Sequence, residues 1–296
     1  MLFSPVRISD KDKYEKILFK YSEKGCEFSF ANLHLWGERH ISFDYGNVSL
    51  CSRFGDKWYY SFILDNNNPK ELIDAIILDA ENKNIDLIFT GLYEKEKNIL
   101  EELYQGKFTF SSSPGSYDYV YSIDDLADLS GKKYHKKRNH FSQFQKICPH
   151  YSVQEISNDM IPAIAKMAND WYEKRITDVP DLDFDMEKAA LTKALANYNE
   201  LGMDGIVLVC NDEIIAFTMA SKLSEDTLDI HFEKARAEIN GAYAAINHEF
   251  ARYIRVKYPA IKYLNREEDM GIEGLRKAKQ SYYPHHMMVK YRASKI

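Results

Sequence analysis

One order of elements occurs twice in this chain, and that repetition constrains its fold more than any other feature. In each half, short antiparallel runs are followed by a helix, a strand, a helix and a last strand. Alternating apolar and polar residues mark half-buried strands, and apolar residues at i, i+3, i+4 and i+7 mark helices. In the first half, strands are expected at His40–Tyr45, Val48–Ser52 and Trp58–Leu64, broken by glycine turns. A helix over Pro69–Asn82 carries proline in its first turn. A strand over Asp86–Thr90, a helix over Glu94–Tyr104 and strands over Lys107–Ser111 and Tyr117–Ser122 complete that half. Ser122–Lys132 reads as the junction. Beyond it come a helix over Lys133–Ile147, a strand over His150–Ile156 and helices over Asp159–Lys174 and Met186–Leu201. Strands at Gly205–Cys210, Ile214–Ser221 and Thr227–Lys234 follow, then a helix over Asn240–Tyr258. The pattern ends on a strand over Ile261–Asn265, a helix over Gly271–Ser281 and a last strand over His286–Tyr291. This order predicts an α/β (α+β) chain in which each half builds a mixed central sheet flanked by helices. Residues 1–128 are taken as the N-terminal unit and 129–296 as the C-terminal unit that carries the candidate cleft.

The composition supports two packed units. The 296 residues suffice for two domains, and 14% of them are aromatic. That aromatic content argues against a disordered chain. The net charge of −6 argues against a general nucleic-acid binder, so any polyanion contact must be local. Cys26, Cys51, Cys148 and Cys210 lie far apart and form no paired motif. They read as reduced thiols, with neither a zinc site nor a disulfide framework. The first residues are too charged for a signal peptide, and no apolar run approaches the ~18 residues of a spanning helix. A cytoplasmic protein without a transmembrane segment is expected.

Three segments bear on chemistry. In Thr227–Lys234, strand alternation puts Asp229, His231 and Glu233 on one face and Leu228, Ile230 and Phe232 on the other. Glu233 or His231 is then a candidate general base. A solvated or salt-bridged strand face accounts for the same pattern. No second histidine has recognisable ligand spacing, so no metal is expected. In the basic segment Gly131–His140, a helical projection places Lys137 within the apolar arc of Tyr134, Phe141 and Phe144, with Arg138 beside it. Inward cations require anionic partners, either a phosphate or the chain's own Glu267, Glu268 or Asp269. In Asn240–Asn247, Gly241 near a helix start suits either phosphate approach or an ordinary capped start. The mixed-charge run Asn265–Pro284 (NREEDMGIEGLRKAKQSYYP) follows a short strand, where loops commonly line a site.

Four segments carry a resemblance: GKKYHKKRNHFSQF from Gly131, HFEKA from His231, INGAYAAINHEFARY from Ile239, and the run from Asn265. In this order they resemble an uncharacterised bacterial family. It shares its domain with the C-terminal, soluble part of phosphatidylglycerol lysyltransferase, and the resemblance covers essentially the whole chain. It implies two GNAT-type acyltransferase folds in tandem, related to the Fem aminoacyltransferases that use aminoacyl-tRNA. It also implies a donor site where Thr227–Lys234 and Ile261–Asn265 splay apart as parallel strands. Members that use acetyl-CoA carry an Arg/Gln-x-x-Gly-x-Gly/Ala loop. The matching stretch here, Glu238-Ile239-Asn240-Gly241-Ala242-Tyr243, keeps only the central glycine. That moves weight from acyl-CoA toward aminoacyl-tRNA.

The expectation is an acyl- or aminoacyl-transferase acting on an amine or hydroxyl of a small-molecule, peptide or lipid acceptor. Glu233 is the expected base, with His231 and Asp229 beside it and Tyr282 as acid. Lys137, Arg138, Asn139, Gly241, Asn247, Arg266, Arg276 and Lys279 are assigned to the donor, and Glu267, Glu268 and Asp269 to the acceptor. A non-catalytic RNA- or phospholigand-binding module and an acyl-CoA-dependent N-acetyltransferase are the alternatives.

Overall fold

A computed structural model describes residues 1–20, 25–44, 46–64, 68–178 and 184–296. Tyr45, the expected end of one strand, lies outside the described residues. The first part runs β1 (Ser4–Pro5), α1 (Lys11–Leu18), α2 (Phe30–Leu35), β2 (Glu38–Ser42), β3 (Val48–Phe54) and β4 (Lys57–Ile63). It continues with α3 (Pro69–Lys83), β5 (Ile88–Leu92), α4 (Glu94–Leu103), β6 (Phe108–Ser112), β7 (Asp118–Ser122) and α5 (Ile123–Asp128). The second part opens with α6 (His135–Ile147), β8 (Ser152–Glu155), α7 (Ile161–Asp178) and α8 (Asp185–Ala196). Then come β9 (Asp204–Cys210), β10 (Glu213–Lys222), β11 (Thr227–Ala235) and α9 (Ala242–Lys257). The chain closes with β12 (Tyr263–Asn265), α10 (Glu273–Gln280), β13 (His286–Met288) and β14 (Tyr291–Lys295).

Among the described residues these strands build two seven-stranded mixed sheets, so the expected architecture holds. The first sheet runs β1-β2-β3-β4-β5-β14-β6 and the second β13-β7-β12-β11-β10-β9-β8. Each contains one parallel pair, β4 with β5 and β11 with β12. Two strands cross the 128/129 division. β7 lies in the second sheet between β12 and β13, and β14 lies in the first between β5 and β6. The single last strand expected at His286–Tyr291 is two strands in different sheets. The chain passes between them at Val289–Lys290, where buried Lys290 reaches Asp118 at the start of β7, 2.6 Å away.

Burial of aromatic and aliphatic side chains, at about 1.5–3 kcal/mol each, drives the packing. Helices α3 and α4 cover the first sheet through Leu72, Ile76 and Leu100. On the second sheet, α9 presents Ala245, Ile246, Phe250 and Ile254 at helical spacing, with Phe144 of α6 beside them. A third core joins the two halves. Tyr14, Phe28, Phe30 and Leu50 pack with Leu191, Phe217, Met219 and Phe232. Among the described residues no helix is long and apolar enough to cross a membrane.

Candidate active site

β11 and β12 pair in parallel only over Thr227–Asp229 and Tyr263–Asn265. Past that point β11 continues to Ala235 while the other chain turns away as a loop. A cavity of about 1640 Å³ opens here, lined from both halves of the molecule.

The expected alternation along β11 breaks at His231. Phe232 pairs with Met219 and Ile230 with Ala220, so His231 is an extra residue in a β-bulge. Leu228 and Ile230 pack beneath α9, but Phe232 joins the shared core and stacks on Trp36 at 6.3 Å. The bulge therefore separates Glu233 from Asp229 and His231, which were expected on one face.

Glu233 accepts from Arg266 Nη2 at 2.7 Å and from Asn247 Nδ2 at 3.2 Å. Arg266 lies 4.9 Å from the Tyr282 ring and 5.5 Å from that of Tyr121. Its Nη1 is buried with no hydrogen-bond partner among the described residues. Lys137 Nζ sits 3.5 Å from the centre of the same Tyr282 ring and donates to Ser281 Oγ at 2.6 Å. Burial, then neighbouring Arg266, brings the Lys137 ammonium down to about 8. Burial pushes the Tyr282 hydroxyl up. Lys137, Glu233, Arg266 and Tyr282 all line the cavity.

Asp229 and His231 enter a second group. His231 Nε2 lies 2.8 Å from Ser221 Oγ, and its Nδ1 lies 3.3 Å from Glu267 Oε1 and 3.5 Å from Asp229 Oδ2. Burial, with the Glu267 and Asp118 charges, holds the Asp229 carboxyl well above the usual range. Ser221 is buried and does not line the cavity, so it meets the histidine from behind the cavity wall. Asn32 Nδ2 donates to Asp229 at 3.3 Å and to Glu267 at 3.1 Å. The ligand atoms of Asp229, His231 and Glu267 cluster closely enough for a metal. An amide donor already sits against both carboxylates, however, and a cation there would have to displace it. At a second such cluster, of Cys26, Glu27 and Asp118, the Lys290 ammonium already lies against all three.

The charged run after β12 divides between cavity and scaffold. Glu267 has φ +56, and its N–H donates to Asn265 Oδ1 at 2.8 Å. Lys279, expected on the donor, gives its ammonium hydrogens to the carbonyls of Arg266, Glu267 and Glu268 and so pins the loop. Arg276, also assigned to the donor, forms a two-pronged pair with Asp269 at 2.8 and 3.0 Å. Asp269 was assigned to the acceptor, but it is buried, also accepts from Tyr119 at 2.7 Å and is held down at about 2 by Arg276. Neither Arg276 nor Asp269 reaches the cavity. Glu268 does, and burial, only partly offset by Lys290, raises its carboxyl to about 7.

Four further residues differ from the sequence reading. Arg138 turns from the cavity and donates to the carbonyls of Leu129 and Gly131, satisfying the turn that leads into α6. Asn139 is exposed and off the cavity wall, because it lies on the outer face of α6. Asn247 lies behind Glu233 and orients it. Gly241 lines the cavity at φ +86, yet a Cβ there would lie 2.0 Å from the His140 carbonyl oxygen. Its lack of a side chain serves the contact of α6 with α9.

Sequence reasoning missed Asn32, Glu27, Ser221, Asp118 and Lys290. Asn32 and Glu27 come from the first half, and no local pattern ties them to β11. A glycine-rich or paired-ligand motif would have been the usual signal, and neither surrounds them.

Two seven-stranded mixed sheets in one chain, each with one parallel pair and with the β11–β12 pair parting over the cavity, define a tandem protein of GNAT-like fold. The chain belongs to the family described as phosphatidylglycerol lysyltransferase, C-terminal, whose profile matches residues 19–294. It is 32% identical to a conserved protein of unknown function from Bacteroides thetaiotaomicron, covering 99% of each chain with a TM-score of 0.93. It shares its fold with L-PGS from Bacillus licheniformis, at TM-score 0.69 and 14% identity over 97% of this chain and 92% of that one. FemX is similar in fold as well, at TM-score 0.61 and 10% identity over 99% and 97% of the two chains.

Proposed function

We propose that this protein is an aminoacyl- or acyl-transferase whose donor is an ester of the aminoacyl-tRNA kind and whose acceptor is an amine or hydroxyl. The observation that carries this reading is Arg266. A buried guanidinium N–H without a partner, beside a held carboxylate where two strands part, suits an oxyanion or phosphate. Family membership and fold support transfer chemistry. The packing of α6 against Gly241 supports a donor other than acyl-CoA, because it accounts for the one residue kept from the pyrophosphate loop.

In this reading the acceptor attacks the ester carbonyl and Glu233 takes its proton. Arg266 stabilises the charge that develops on the carbonyl oxygen. The carbon–oxygen bond to the donor breaks, and the leaving oxygen needs a proton. Lys137, an ammonium near 8, is matched to supply it at neutral pH. Tyr282 keeps its proton and walls the site.

The test is single-turnover loss of labelled aminoacyl group from aminoacyl-tRNA, with Glu233→Gln beside the unaltered protein. The variant is expected to keep its melting temperature and lose about 10²–10⁴ in rate. Intact turnover in Glu233→Gln sinks the assignment of the base. Tight tRNA binding by the unaltered protein without any deacylation favours a binding module.

A further inference from the structure

Beyond Arg266 the cavity changes character. Glu27, Glu267, Glu268, Asn32 and Lys290 line this compartment, and Asp118 lies buried behind it. One ammonium, Lys290, serves two carboxylates, Glu27 and Asp118, each at 2.6 Å. Arg39, the other cation near Glu27, donates instead to the Trp36 carbonyl at 3.0 Å and Ser52 Oγ at 2.7 Å. Lys279 directs its hydrogens at backbone carbonyls. Among the described residues, Glu267 accepts from neutral Asn32 and lies 3.3 Å from His231 Nδ1, and Glu268 has no ion pair. Carboxylate is therefore in excess.

A second observation is independent of charge. Asn32 is 5% exposed, and its Oδ1 has no donor among the described residues. Rotating the amide does not help, because its Nδ2 already faces three acceptors: the Cys26 carbonyl, Asp229 and Glu267. The compartment holds more acceptors than its own donors, the Lys290 ammonium and the Asn32 amide, satisfy. A primary ammonium brings three N–H donors and one positive charge.

We propose that this compartment seats a primary ammonium group of the acceptor. The acceptor is then an amine, and an anionic headgroup is disfavoured. The proposal rests on the transferase reading, but its test needs no turnover. Calorimetric titration with cadaverine is compared with 1,5-pentanediol, which has hydroxyls in place of both ammonium groups. Cadaverine is expected to bind at least tenfold more tightly. Glu267→Gln and Glu268→Gln are each expected to weaken it about tenfold, equivalent to ~1.4 kcal/mol. Glu200→Gln, at an exposed surface carboxylate, is expected to change nothing. Equal binding of the diol, or an equal loss in Glu200→Gln, overturns the proposal. So does binding of glycerol phosphate that depends on Glu268. Alanine methyl ester, which carries the ammonium of an aminoacyl donor, is then added to the cadaverine complex. Retention of cadaverine supports the acceptor assignment, and displacement overturns it. Loss of the transferase reading shows separately, as absent deacylation with amine binding intact.

Discussion

Lys137 and Glu268 show how burial sets chemistry at single residues. The folded value of Lys137, about 8, lies below its ordinary 10.5. Between those values the unfolded chain holds a proton that the folded chain has released, so stability rises as pH climbs through that window. Below about 8 the full cost of the buried ammonium is present. Lys137→Met should therefore melt higher than the parent at pH 7, with the difference closing by about pH 10.5. The same variant should lose turnover, and Lys137→Arg should restore donor binding without restoring rate. Equal activity in the arginine variant would show that Lys137 holds charge only. Glu268 runs the other way. Its folded value, about 7, lies above its ordinary 4.5. Between these the folded chain holds the extra proton, so this group's contribution to stability falls as pH rises from 4.5 to 7. Glu268→Gln should resist urea better than the parent at pH 8 and match it at pH 4.5. A destabilised variant at pH 8 would mean the carboxylate is needed for the fold. A strained carboxylate kept on a cavity wall fits a binding role that costs stability.

At the scale of elements, two local devices shape the cleft. The bulge at His231 rotates one residue out of register, sending Phe232 into the shared core and Glu233 toward Arg266. Lys279 and the Asp269–Arg276 pair then hold the loop after β12 in place. The close approach of α6 to α9 is the second device, since it carries Lys137 to the Tyr282 ring. That approach requires glycine at 241, both for its φ of +86 and for the space against His140. Gly241→Ala is expected to cost at least about 2 kcal/mol, from left-handed strain and displaced α6. Urea denaturation measures it, and an unchanged midpoint would remove Gly241 from this role.

For the whole molecule, the exchange of β7 and β14 ties the two sheets into one unit. Asp118 opens β7 and Lys290 precedes β14, so their ion pair sits where the chain crosses twice between sheets. Burial opposes both charges, yet each holds the other ionised: Asp118 stays low and Lys290 well above its ordinary value. Lys290→Met leaves Asp118 buried without its cation and should lower stability by about 3–5 kcal/mol. Because the core is shared, the loss should appear as one cooperative transition in calorimetry. Two separate transitions, with only one displaced, would contradict this coupling. The periodicities of the chain determined most of the helices, most strands and two mixed sheets, because burial of one face imposes a 2- or 3.6-residue repeat wherever the element lies. The cluster of site residues around β11 and Asn265–Pro284 was legible too, since strand and loop are adjacent in sequence or by pattern. The rest depended on contacts between residues far apart in the chain. The bulge at His231 depends on β10, the fates of Arg138, Arg276, Lys279 and Asp269 on which partners the loop brought near, and the acidic compartment on Asn32 and Glu27 from the other half. Strand exchange lay outside local reading for the same reason. A strand's pattern records that one face is buried, and only the tertiary structure decides which sheet buries it.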